Sequence, residues 1–203
     1  MRSRTAIVAC AAIALWAACK TREESRGDIA ETAPTDCSGG ASDTVVFATT
    51  MGDIRIELFR GQAPVTVDNF LAYVETCFYD GTVFHRVVPG FVLQGGGLMQ
   101  DLQPKTTRDP IINEAANGLK NLRGSLSMAR RSEEHSATSQ FFINLVDNTI
   151  LDHGVRDFGY AVFARVIGGM DVVDEIAAVH TGTREGMENV PLVPVVISRA
   201  RRL

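Results

Sequence analysis

Hydrophobic and polar positions alternate with a period of two in part of this chain. The clearest run is Ile54-Arg55-Ile56-Glu57-Leu58, which puts Ile54, Ile56 and Leu58 on one face. It follows the β-branched, apolar stretch 45–50 across Met51-Gly52-Asp53, and two such runs about a glycine turn predict a hairpin. The period then changes. Val67, Phe70, Leu71 and Val74 recur at helical spacing behind Pro64, whose missing N–H costs nothing in a first turn. Further strands are expected at 83–88, 91–95, 125–129, 140–145 and 160–166. A second short helix is expected at 170–178, with Met170, Val173, Ile176 and Ala177 inward, and a closing strand at 193–197. Many short strands and two helices predict a mainly β fold, a closed antiparallel barrel with helical caps. There is no internal repeat.

The first 42 residues break from this pattern. Arg2 and Arg4 precede an unbroken apolar run, 6–18, too short to span a bilayer, and the chain offers no longer one. Residues 1–18 therefore read as a signal peptide, with an uncut short anchor as the competing reading. Leu15-Trp16-Ala17-Ala18-Cys19 resembles a bacterial lipoprotein box, which would place lipid on Cys19 and the protein on the periplasmic side of a bacterial membrane. Trp16 departs from the aliphatic residue usual three places before the cysteine, and plain cleavage after Ala18 is the alternative. Residues 19–42 hold almost no large apolar side chains and cannot bury enough surface to offset the entropy of ordering, as expected of a flexible tether. The folded domain is expected over 43–203.

Composition adds bounds. The chain has 203 residues, 45% of them apolar, enough for one domain with its own core. Its net charge of −4 gives no reason to expect nucleic-acid binding, and the basic group Arg199, Arg201 and Arg202 reads as a solvated strand end. Oligomeric state is not legible, and a monomer is the default. Of the four cysteines, Cys37 and Cys77 remain once the leader and the lipidated Cys19 are set aside. In an oxidising compartment they could pair; two free thiols are the other reading.

Conventional catalytic constellations are missing. There is no G-x-S-x-G elbow, His85, His135, His153 and His180 share no metal-binding spacing, and Gly95-Gly96-Gly97 is no phosphate loop. That triplet suits a tight bend beside a groove. No metal or other cofactor is implied. What remains is a set of apolar groups accompanied by one arginine and one glutamine: Phe84, Arg86, Phe91, Val92, Gln94, Phe142 and Leu151.

Those residues carry a resemblance. Phe84-His85-Arg86-x-x-Pro89-Gly90-Phe91-x-x-Gln94-Gly95-Gly96 is similar to the cyclophilin signature, and two more blocks follow in family order. These are Ser127-Met128-Ala129-Arg130 with Ser139-Gln140-Phe141-Phe142-Ile143, and Leu151-Asp152-His153 with Tyr160-Ala161-Val162-Phe163. The resemblance covers about 44–203, and the Asp157-Phe158-Gly159-Tyr160 segment resembles the bacterial exported branch. It implies an eight-stranded barrel and peptidyl-prolyl cis/trans isomerase activity on proline-containing, unfolded or exported proteins. A binding or chaperone-like module with little turnover is the alternative.

By the same resemblance Arg86 is the donor to the proline nitrogen. Phe91, Val92, Phe142 and Leu151 form the ring pocket, and Gln94 holds the substrate backbone and helps fix Arg86. Ala129, Gln140 and the main chain at Arg130 line the groove. Tyr160 takes the place of a pocket histidine, Val92 replaces a common methionine, and Ile150 stands where many members carry tryptophan.

Overall fold

The computed structural model describes Cys37 and residues 40–203. The expected signal peptide, Cys19 and nearly all of the tether lie outside the described residues. The chain order is β1 (Thr44–Thr49), β2 (Gly52–Leu58), α1 (Pro64–Glu75), β3 (Phe84–Val88), β4 (Val92–Gly95), β5 (Ser125–Met128), β6 (Phe141–Asn144), β7 (Val162–Gly168), α2 (Met170–Ala177), β8 (Thr181–Arg184), β9 (Met187–Pro191) and β10 (Ile197–Arg202). Eight strands form one antiparallel sheet in the order β10-β1-β2-β7-β5-β6-β4-β3.

The expected closed barrel is corrected by this order, because the sheet has two ends. Its outer strands β3 and β10 are not laddered to each other. They approach only through an isolated bridge, Val83 with Val196, and a few main-chain bonds such as Phe84 N–H to Val195 O at 3.0 Å. The result is an open half-barrel. Residues 193–197 were expected to close it as a strand. Pro194 has no N–H to give a ladder, Val193 is exposed, and the strand proper begins at Ile197 and pairs along β1.

The period-two reading of β2 is met, with Ile54, Ile56 and Leu58 all buried. Phe70 on α1 explains why the helix caps the sheet. Its ring centroid lies 5.1 Å from Phe163 of β7, 6.0 Å from Phe47 of β1 and 6.1 Å from Phe141 of β6. Each such buried aromatic is worth about 2–3 kcal/mol of transfer free energy. On α2, Val173 and Ile176 are buried, whereas Met170 and Ala177 only lean on the core.

Two further differences from expectation are local. The β8–β9 hairpin was not foreseen; it turns through Glu185 and Gly186, both at positive φ, as a two-residue hairpin loop requires. The C-terminal arginines are not simply solvated. Arg201 pairs with Asp80 at 2.8 Å, and Arg202 with Glu75 at 3.1 Å. Cys37 and Cys77 form a disulfide with Cα atoms 5.5 Å apart, which decides the pairing the sequence left open.

Candidate active site

Strand register builds one side of the site. Arg86 of β3 lies opposite Gln94 of β4, and Gln94 lies opposite Phe142 of β6. These three therefore form one row across three strands. The next row, Val87, Leu93 and Ile143, points the other way and is wholly buried in the main core. Val92, Phe142 and Leu151 are buried in a separate small cluster, with Phe91, Ala129 and Tyr160 packed against it. That cluster encloses a hollow of about 110 Å³ with Arg86, Gln94 and Arg130 on its rim. Gln140 lies in an adjoining hollow of about 130 Å³ and accepts a 2.9 Å hydrogen bond from Gln94 Nε2. The resemblance has Gln94 holding the substrate backbone and helping to fix Arg86. Gln94 Nε2 is engaged by Gln140, and no group of the described residues accepts a hydrogen bond from the Arg86 guanidinium.

Glycines allow this closeness. A Cβ on Gly97 would stand 2.5 Å from Gln140 Cγ, so the bare backbone is what lets Gln140 lie flat beside the groove. This meets the expectation of a tight bend there.

The opposite side is built from loops. A 3-10 turn at Thr149–Leu151 delivers Leu151, and Tyr160 N–H bonds back to Leu151 O at 3.0 Å. Beneath it runs a buried polar network that the sequence reading missed. Asp152 Oδ1 accepts from Asn121 N–H and Nδ2 at 2.9 and 3.0 Å, and Lys120 lies 3.4 Å from Oδ2. Asn121 Oδ1 accepts from Ser127 at 2.7 Å and from Asn144 Nδ2 at 3.3 Å. Asn148 Nδ2 reaches both Asn144 Oδ1 and the carbonyl of Phe91, at 2.8 and 2.9 Å. One network thus ties Phe91, β6 and Leu151 together. Burial pushes the Asp152 carboxyl up, but the Asn121 donors and Lys120 outweigh it and hold the group below the usual range. The density of Asn and Asp over 144–152 was the available signal.

Beside Arg86 in sequence, His85 points into the protein. Burial lowers its pKa to about 4, a bond with the Val83 main chain opposes this, and the Arg86 charge lowers it further. It is neutral near pH 7, leaving Arg86 as the only charge on β3. Beyond Gln140 opens a larger polar basin of about 790 Å³ among Lys105, Arg108, Arg131 and Glu133, on irregular segments that no periodicity marks.

An apolar hollow this small has room for one compact apolar group. The groups around it can bind, orient and donate a charged hydrogen bond, and none forms a nucleophile–base pair. Such a site is built to bind and orient a chain rather than to make or break bonds.

Comparison with known proteins agrees. Residues 44–202 match the family described as cyclophilin type peptidyl-prolyl cis-trans isomerase/CLD. Peptidyl-prolyl cis-trans isomerase A of Dickeya dadantii is 54% identical over 160 residues, covering 79% of this chain and 84% of that protein. Peptidyl-prolyl cis-trans isomerase B of Escherichia coli is 53% identical over 157 residues, covering 75% and 95%. A Cryptosporidium parvum cyclophilin type peptidyl-prolyl cis-trans isomerase, solved in the presence of the dipeptide Ala-Pro, is 27% identical with a TM-score of 0.67, covering 78% of this chain and 97% of that one. The chain belongs to the cyclophilin-type peptidyl-prolyl cis-trans isomerases. It is an enzyme that catalyses cis/trans isomerisation of X-Pro bonds.

Proposed function

We propose that Arg86 carries the catalysis and that the enzyme works on exported proteins outside the cytoplasm. The uncatalysed barrier, about 18–20 kcal/mol, is the lost resonance of the X-Pro amide. At the twisted transition state the proline nitrogen regains a lone pair, and no bond is made or broken. The reaction needs a pocket for the ring, a grip on the flanking backbone and a donor aimed at the nitrogen. Phe91, Val92, Phe142 and Leu151 hold the ring. Gln94, Gln140, Ala129 and the main chain at Arg130 hold the backbone, and Tyr160 completes the far wall. Arg86 donates, since a guanidinium stays charged and needs no proton to leave. The observation carrying this reading is the Arg86 guanidinium, without a hydrogen-bond acceptor among the described residues and at the rim of an apolar hollow built around that signature row. A single preorganised charged donor contributes about 3–4 kcal/mol to such a barrier.

The cellular setting rests on the leader. Residues 1–18 direct export, Cys19 carries lipid and 19–42 tether the domain to a bacterial membrane on its periplasmic side. The Cys37–Cys77 disulfide supports an oxidising compartment. Two experiments test the proposal. The exported enzyme should accelerate proline-limited refolding of a substrate protein, and failure to do so would refute the functional reading. Detergent phase partitioning of the full chain expressed in bacteria should move Cys19→Ala from the detergent to the aqueous phase; equal partitioning would exclude the anchor.

A further inference from the structure

We infer that Arg130 is a positioning residue for this isomerase: its side chain holds Tyr160, and with it the far wall of the proline pocket. The inference rests on the pocket assignment above and deepens it. Arg130 stands one residue past Ala129 in the groove, and its main chain alone was expected to meet substrate. Its side chain is 4% exposed and almost fully spent on the protein. Nε–H donates to Gly159 O at 3.0 Å, and Nη2 donates to Asp157 Oδ1 at 2.7 Å. Nη1 donates to the carbonyls of Arg131 and Ser132 at 3.0 and 3.4 Å. The guanidinium carbon lies 4.8 Å from the centre of the Tyr160 ring, and that ring meets Phe142 edge-on at 5.4 Å and 76°.

Tyr160 is therefore pressed between a cation on one side and a wall of the hollow on the other. Its main chain is set by Leu151, while its ring is flanked by Arg130 and Phe142 and its hydroxyl faces Arg156. The loop that brings it there is closed by the same arginine. Asp157 Oδ1 also accepts Gly159 N–H at 2.8 Å. Gly159 has φ +68°, and a Cβ there would stand 2.4 Å from His153 N, so only glycine makes this return. A planar fork is required: lysine offers a point charge and could not serve Gly159, Asp157 and the ring together. Because Arg86 sits on the opposite, strand-built side, loss of Arg130 removes ring binding common to ground and transition states and leaves the barrier-lowering donor in place.

Steady-state kinetics on an Ala-Pro-containing peptide test this, with thermal melting as a check on folding. Arg130→Ala is expected to raise KM by about five- to tenfold while kcat stays within about twofold. Tyr160→Ala should raise KM comparably, and the double variant should raise it no further, since both changes remove one contact. Arg130→Lys should recover only part of the loss. If Arg130→Ala proves unfolded, Asp157→Ala substitutes: a rise of about two- to threefold in KM, restored by Asp157→Asn, whose amide oxygen still accepts. An unchanged KM, KM effects that multiply in the double variant, or an equal fall in kcat would overturn the inference. An inactive wild type would instead strike the pocket assignment beneath it.

Discussion

The two sides of the proposed proline pocket are made differently. Arg86, Gln94 and Phe142 stand on β3, β4 and β6, and their alignment follows from backbone ladders. Leu151, Tyr160 and Arg130 stand on segments outside the strands, held by side-chain ties: the Asp152–Asn121 network and the Arg130–Asp157 clamp. A ladder fixes side-chain direction through the pleat, so it tolerates changes in any one side chain. A loop wall has no such redundancy, and its geometry is only as firm as its buried polar contacts.

The contrast can be broken most severely at Asp152. Asp152→Ala leaves the Asn121 donors buried and unpaired, and is expected to lower unfolding free energy by about 2–4 kcal/mol in denaturant titration. A loss under 1 kcal/mol would show that the loop side has other support.

The strand side has its own weak point beneath it. His85 is held neutral, with a folded pKa of about 4 against 6.5 unfolded. Between those values the unfolded chain binds more protons than the native one. Stability should therefore be full above about pH 6.5 and fall as pH drops toward 4, by roughly 3 kcal/mol in all. His85→Gln should flatten that part of a stability–pH curve measured against the wild type.

Pocket truncation follows in size. Phe142→Leu keeps the ladder and should lower kcat/KM by about tenfold, because one flat wall is lost while Arg86 and Gln94 stay aligned. Ile150→Ala sharpens the comparison from the quiet side. Ile150 is 47% exposed and has no part in the clamp, so stability should change by less than about 0.5 kcal/mol and peptide turnover should match the wild type within about twofold.

The same contrast explains what was readable in advance. Short apolar runs located the strands that carry Arg86, Gln94 and Phe142, and the pleat then sets which of their residues share a face. The signature motif also named Leu151 and Tyr160. It did not show what supports them, since Asn121–Asp152 and Arg130–Asp157 join residues 31 and 27 positions apart with no period linking them. Barrel closure failed for a related reason. The β-branched run at 193–197 looks like a strand, but whether β10 ladders with β3 depends on where its hydrogen bonds go, and they go to β1. The β8–β9 hairpin was written only in a Glu185-Gly186 turn between weakly patterned segments.

The central claim is that Arg86 acts on the transition state and not on the bound peptide. Its direct measurement is peptide affinity and turnover on one sample of Arg86→Ala, by NMR titration and exchange with a proline-containing peptide. The account predicts an affinity within about threefold of the wild type and a turnover lower by about 10²–10³-fold. Turnover retained with Arg86 removed, or affinity and turnover lost in equal measure, would contradict it.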